Sequence, residues 1–144
     1  MFTLDNRNDF ISRIEFVKIL SSEFEKAGGD FPCSEEELFE RGIAKGWLQG
    51  EDRLFKDSLI ERRDCARILH EFMRREMNVT DIEDVSPAYS VKDIFDCHVC
   101  TQHIAQVVLR GIMKCDSKNV FGITQKIRHE EAEDMVKLTL LSKM

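Results

Sequence analysis

The stretch Cys97-His98-Val99-Cys100-Thr101-Gln102-His103 carries side chains able to ligate a metal. Read as a helix, it places Cys97, Cys100 and His103 at i, i+3 and i+6, near one face. Three soft or borderline donors result, with Cys115 as a candidate fourth, and that is zinc chemistry. Against it, small zinc domains usually set Cys-x-x-Cys on a turn and bring a second pair from elsewhere, and the sequence has no second pair. A redox Cys-x-x-Cys opens a helix after a strand, and no strand pattern precedes Cys97. The alternative is that Cys65 and some of the other cysteines are small core hydrophobes. No cofactor is expected on this balance.

Catalytic groupings are not evident either. His70, His98, His103 and His129 lack a Ser or Cys nucleophile with an orienting carboxylate at a recognisable spacing, and no glycine loop suited to phosphate appears. A non-enzymatic protein is expected. Arginines, by contrast, recur where helices should begin: Arg13-x-Glu15, Arg62-x-Asp64 and Arg128-x-Glu130. The acids of these pairs read as helix caps and dipole partners. Arg62, Arg63, Arg67, Arg74 and Arg75 form a stripe, but Asp64, Glu71 and Glu76 interleave with it, as on a solvated helix face.

The elements that must position these groups are helical. Gly and Pro are sparse, seven and two, and fall between periodic segments, which favours helices with short connections. The first helix starts at the capping box Ser12-x-x-Glu15 and ends before Gly28-Gly29, burying Phe16, Ile19, Leu20 and Phe24. A second opens at Ser34-x-x-Glu37 and closes around Gly42, followed by a turn-rich connection over residues 46–52. A third runs from Glu61 to about Glu76, with Cys65, Ile68, Leu69, Phe72 and Met73 on its apolar face. Residues 78–89 read as a linker, residues 91–109 as a long helix, and residues 128–141 as the last.

The 144 residues suggest one domain, with 27 acidic against 21 basic side chains and a net charge of −6. A chain of this size buries roughly 68–70% of its unfolded surface, enough to hold a core without disulfides or metals. No apolar run approaches the ~20 residues of a membrane span. The acidic balance argues against nucleic acid as a partner. Residues 1–9 lack the basic start and apolar stretch of a secretion signal, and five cysteines leave at least one thiol unpaired, which suits a reducing cytosol.

One grammar recurs along the chain. Ile11-Ser12-Arg13-Ile14-Glu15, Ile60-Glu61-Arg62-Arg63-Asp64 and Ile127-Arg128-His129-Glu130-Glu131 each lead an amphipathic helix. Arg41-Gly42-Ile43 and Arg110-Gly111-Ile112 stand upstream of the last two, and Phe55 and Phe121 each precede the motif arginine by seven residues. With Gly42-Ile43-Ala44-Lys45-Gly46 as a turn and Ile82-Glu83-Asp84-Val85-Ser86-Pro87 as an opening, the ordered set resembles the S-layer homology domain. That family's repeats run F-x-D-V, helix, G-I-x-x-G turn, then I-T-R-A-E leading a second helix. The resemblance spans about residues 11–141. It divides a single domain, 1–144, into a partial repeat 11–29, a middle repeat 30–78 and a last repeat 79–144. The first supplies only the C-terminal half of a unit, the middle one has no clear opening, and the last has Cys115 in place of the second turn glycine.

The resemblance implies a mainly α helical repeat bundle around a pseudo-threefold axis, whose grooves hold anionic secondary cell-wall polysaccharide, often pyruvylated. Carried over by position, the ligand-binding residues are Arg13, Arg62 and Arg128, with Gly42, Gly46 and Trp47 at the turn and Asp84 at the last opening. A guanidinium binds a ketal carboxylate bidentately, and Trp47 offers a sugar-stacking face or, alternatively, a core anchor. The other reading of the same repeats is an intracellular interaction or scaffold protein that has lost the glycan site. Location follows: cell surface if the chain is an excerpt of an exported protein, cytoplasm if it is complete.

Overall fold

The computed structural model describes residues 9–30 and 34–142, so residues 1–8, where a secretion signal was sought, and Cys33 lie outside the described residues. Six α-helices make up the described residues: α1 (Arg13–Lys26), α2 (Glu35–Lys45), α3 (Gly50–Leu54), α4 (Arg62–Arg75), α5 (Thr101–Leu109) and α6 (His129–Leu141). The mainly α class holds, at 56% helix with no strand among the described residues. No helix among them is long and apolar enough to cross a membrane.

Local chemistry sets where the helices begin. At α1 the Ser12 hydroxyl accepts from the Glu15 N–H while the Glu15 carboxylate accepts from the Ser12 N–H, so two otherwise orphaned donors are satisfied. The same return bond, from the residue before the helix to an acid in its first turn, opens three others. It runs from Gln49 N–H to Asp52, Glu61 N–H to Asp64 and Arg128 N–H to Glu131. In the last case Glu131, not Glu130, is the capping acid. The motif positions shift accordingly: Arg13 and Arg62 are the first residues of their helices, whereas Arg128 precedes α6 and His129 holds the corresponding place.

The three segments leading α1, α4 and α6 meet one another. Antiparallel bridges join Phe10 to Arg128, Ser12 to Leu59 and Glu61 to Lys126. Ile11 N–H donates to the Ile127 carbonyl and Ile60 N–H to the Ile11 carbonyl, each at 3.1 Å. The side chains of Ile11, Ile60 and Ile127 are buried at this junction. From it α1 runs back against α6 and α4 against α5, and one continuous core including Phe16, Leu69, Phe72 and Val136 fills the space between.

Two expectations fail at element boundaries. The second helix does not close at Gly42: it continues to Lys45 and ends on Gly46, whose φ of +94° is the left-handed cap, a conformation that glycine adopts without a Cβ clash. Gly42 is instead a packing position, its carbonyl accepting from the N–H groups of Gly46, Trp47 and Leu48. A Cβ there would clash with the Leu48 side chain. Gly42→Ala is therefore expected to cost about 1–3 kcal/mol by overpacking, read as a lower urea midpoint.

The long helix over 91–109 is the second failure: only Thr101–Leu109 is α-helical, after a 3₁₀ turn at His98–Cys100. Tertiary bonds take over the backbone before it. Lys92 N–H donates to the Asn119 carbonyl, and the Asp93 carboxylate accepts from the N–H groups of Phe121 and Gly122, both at 2.8 Å. Burial opposes the charge on Asp93, yet these amides hold its pKa below the usual value. The residues read as a linker do form an irregular connection, with a short 3₁₀ turn over Ser86–Ser90.

Candidate functional site

Two clefts open where the first-turn arginine of one helix faces the capping acid of the next. The first is lined by Arg13 of α1 and Asp64 of α4, together with Gln49, Arg67 and His103, and encloses about 380 Å³. The second is lined by Arg62 of α4 and Glu131 of α6, with Lys114, Lys137 and Met135, and encloses about 510 Å³.

The first cleft spends its charge internally. Asp52, with no exposed surface, accepts from Arg13 at 2.8 Å, from both terminal nitrogens of Arg67 at 3.0 and 2.7 Å, and from the Gln49 N–H at 2.7 Å. Arg13 also reaches Asp64 at 3.2 Å. Burial works against the charge on Arg67, but its bonds to Asp52 raise the guanidinium pKa above its ordinary value. Arg13 is thus held by two carboxylates. Its rim carries Cys97, Val99 and Cys100.

Arg62 in the second cleft is placed differently. It is buried, its Nε donates to the Phe121 carbonyl at 2.7 Å and one terminal nitrogen to the Lys114 carbonyl at 2.6 Å. The guanidinium lies over the Phe121 ring, 4.6 Å from its centroid. Among the described residues no carboxylate forms an ion pair with it. A buried charge satisfied only by neutral carbonyls keeps its attraction for an anion.

The remaining sequence candidates have other occupations. Arg128 is exposed and stacks on Phe10, 4.2 Å from the ring centroid. Trp47 is fully buried, so it is a core anchor and not a sugar platform: its Nε1 donates to Glu76 at 3.0 Å and its ring meets Phe72 edge-on at 4.9 Å. Glu76 is in turn clasped by Arg41 through two bonds of 2.9 Å. Burial opposes its ionisation, but Arg41 and Trp47 draw its pKa down. Asp84 is exposed and accepts from the hydroxyl and N–H of Ser86, which lower its pKa. Gly42 and Gly46 shape the end of α2, as described above.

The thiolate set does not assemble. Cys97 and Cys100 are joined in a disulfide, and Cys115 is a free, half-buried thiol whose pKa burial pushes up. Cys65 is a fully buried core side chain, as expected, with its pKa raised well above the usual value by burial. His103 meets a different group: its Nδ1 lies 2.8 Å from His70 Nδ1, across the seam between α5 and α4. His70 Nε2 lies 2.8 Å from the Asp81 carboxylate. Donor atoms of His70, Glu71 and His103 all fall within 4.8 Å of one another. Burial, with the neighbouring His70, lowers the His103 pKa to about 4.

Sequence reasoning found Arg62 and His103 but missed Lys114, Lys137, Glu131, His70 and Asp81. The first three share a cleft only because α6 returns beside α4, and the last two meet only because the connection after α4 folds back. No family model, curated protein or solved structure matches the chain.

Proposed function

We propose that the chain is a non-enzymatic binding module of the S-layer homology type, which captures a carboxylate-bearing wall polysaccharide in the Arg62 cleft. One observation carries this reading: Arg62 brings a buried, carbonyl-bonded guanidinium, with no carboxylate partner among the described residues, to the wall of an open cleft. A ketal carboxylate is the planar anion that such a group pairs with best. With Lys114 and Lys137 on the same walls, Arg62 makes three cations against the two carboxylates of Glu131 and Asp134 that also line the cleft. Two further features support the repeat: the three leading segments pair with one another, and Arg41 and Arg110 both reach back to a carbonyl, of Asp30 and Thr80, at the start of their units. The Cys97–Cys100 disulfide supports an oxidising, cell-surface setting.

The test is a binding titration with pyruvylated wall polysaccharide. Arg62→Ala is expected to weaken binding about tenfold or more, in keeping with loss of charged hydrogen bonds. Lys137→Glu, on an exposed position of the rim, should weaken it without touching the core, while Arg13→Ala leaves it unchanged in the folded protein. Binding that survives both Arg62→Ala and Lys137→Glu defeats the reading.

A second reading, a protein-interaction module, is favoured by one surface feature. Tyr89 and Phe95 stack with centroids 5.1 Å apart, both about half exposed, near the 83% exposed Val99 in sequence. Loss of a cytosolic partner on Phe95→Asp, with no polysaccharide binding by the wild type, would favour it.

A further inference from the structure

We infer that His70, His103 and Glu71 form a binding site for a divalent transition metal, zinc foremost, at the seam of α4 and α5. The donor set is imidazole, imidazole and carboxylate, which suits zinc, copper(II) or nickel better than calcium or magnesium. Its atoms already converge within 4.8 Å.

The hydrogen bonding around His70 fixes the orientation that a ligand needs. With its Nε2 held by Asp81 at 2.8 Å, its other nitrogen faces His103 Nδ1. A histidine whose far N–H is donated to a carboxylate is the arrangement that sets tautomer and ring angle at metal centres. The 2.8 Å contact between the two Nδ1 atoms needs one shared proton. A zinc ion with N–Zn bonds of about 2.0–2.1 Å in tetrahedral geometry needs its nitrogens about 3.3 Å apart. The two rings must therefore part by only about half an ångström for the metal to replace the proton.

Glu71 completes the set from the surface side. One of its oxygens accepts from Arg74 at 2.8 Å and Arg75 at 3.1 Å, while no hydrogen bond among the described residues engages the other. Burial raises the carboxylate's pKa, but those contacts outweigh it and lower the pKa from its usual value. Arg74 also approaches Asp81 at 3.7 Å, so two cations balance the two carboxylates and the metal adds the charge that the imidazoles coordinate. His103 lines the Arg13 cleft, which gives an ion its way in. Three protein donors leave a fourth position for water or a ligand group.

The test uses the full chain with its disulfide intact, titrated with zinc by calorimetry and with cobalt(II) by absorption. One equivalent should bind, and the cobalt complex should show d–d bands without thiolate charge-transfer absorption. Asp81→Asn should weaken binding 10- to 100-fold by releasing His70 from its oriented state, and His103→Ala should abolish it. Should Asp81→Asn unfold, the half-buried His103→Gln and the shift of the His70 and His103 ring nitrogen resonances on adding zinc to the wild type decide in its place. No saturable binding, binding unchanged by His103→Ala, or a thiolate-type cobalt spectrum overturns the inference.

Discussion

Asp52→Ala is expected to lower the unfolding free energy by about 3–5 kcal/mol, the cost of leaving buried cations without their partner. Asp52 has no exposed surface and holds Arg67 through two bonds and Arg13 through a third. Its removal leaves Asp64, at 3.8 Å from Arg67 and 3.2 Å from Arg13, as the one carboxylate among the described residues still ion-paired with them. It also frees the Gln49 N–H that opens α3. The change appears as a lower urea midpoint at unchanged slope. Asp57→Ala is the comparison, since Asp57 is 83% exposed and pairs with Lys56 at 3.5 Å, and a surface change of this kind stays within about 0.5 kcal/mol. A loss below about 1 kcal/mol for Asp52→Ala would mean that Asp52 does not hold the Arg13 and Arg67 charges in place at the first cleft.

Trp47→Ala is expected to cost about 3–5 kcal/mol, as for other large aromatics emptied from a core. The indole packs edge-on to Phe72, which meets Phe24 in the same way at 5.1 Å, so the cavity opens where α1, α4 and the turn after α2 join. Trp47→Phe separates packing from hydrogen bonding: it keeps most of the apolar contact but leaves Glu76 one donor short, for about 1.5–3 kcal/mol. Polysaccharide affinity per folded molecule stays constant in both variants. A Trp47→Phe protein of full stability that has lost ligand binding would return Trp47 to the role of a sugar platform.

The parts of the fold visible in the sequence were those encoded within a few residues. Ser12-x-x-Glu15 marks α1 because both halves of the cap lie in one turn, and the spacing of Cys65, Ile68, Leu69, Phe72 and Met73 marks α4, where all five are buried. The ordered motifs at Ile11, Ile60 and Ile127 pointed to three equivalent helix starts, and those segments do pair. What local pattern could not carry was set by distant partners. The helix over 91–109 yields to Asp93 capping Phe121 and Gly122, 28 and 29 residues away. Arg13 and Arg62 look alike in sequence, yet one is met by Asp52, 39 residues on, and the other by carbonyls of Lys114 and Phe121. Arg128 matches the motif in charge but not in register: the capping acid is Glu131, which puts His129, one residue later, at the first helical position.

The most direct measurement is amide chemical-shift mapping of the ¹⁵N-labelled protein during titration with pyruvylated wall polysaccharide. The Arg62 cleft predicts saturable shifts concentrated at Ile112, Met113 and Lys114 and at residues 131–138, with little change around Gln49, Arg67 and His103 in the first cleft. Shifts confined to the first cleft or to the Tyr89–Phe95 surface, or none at saturating polysaccharide, would contradict it.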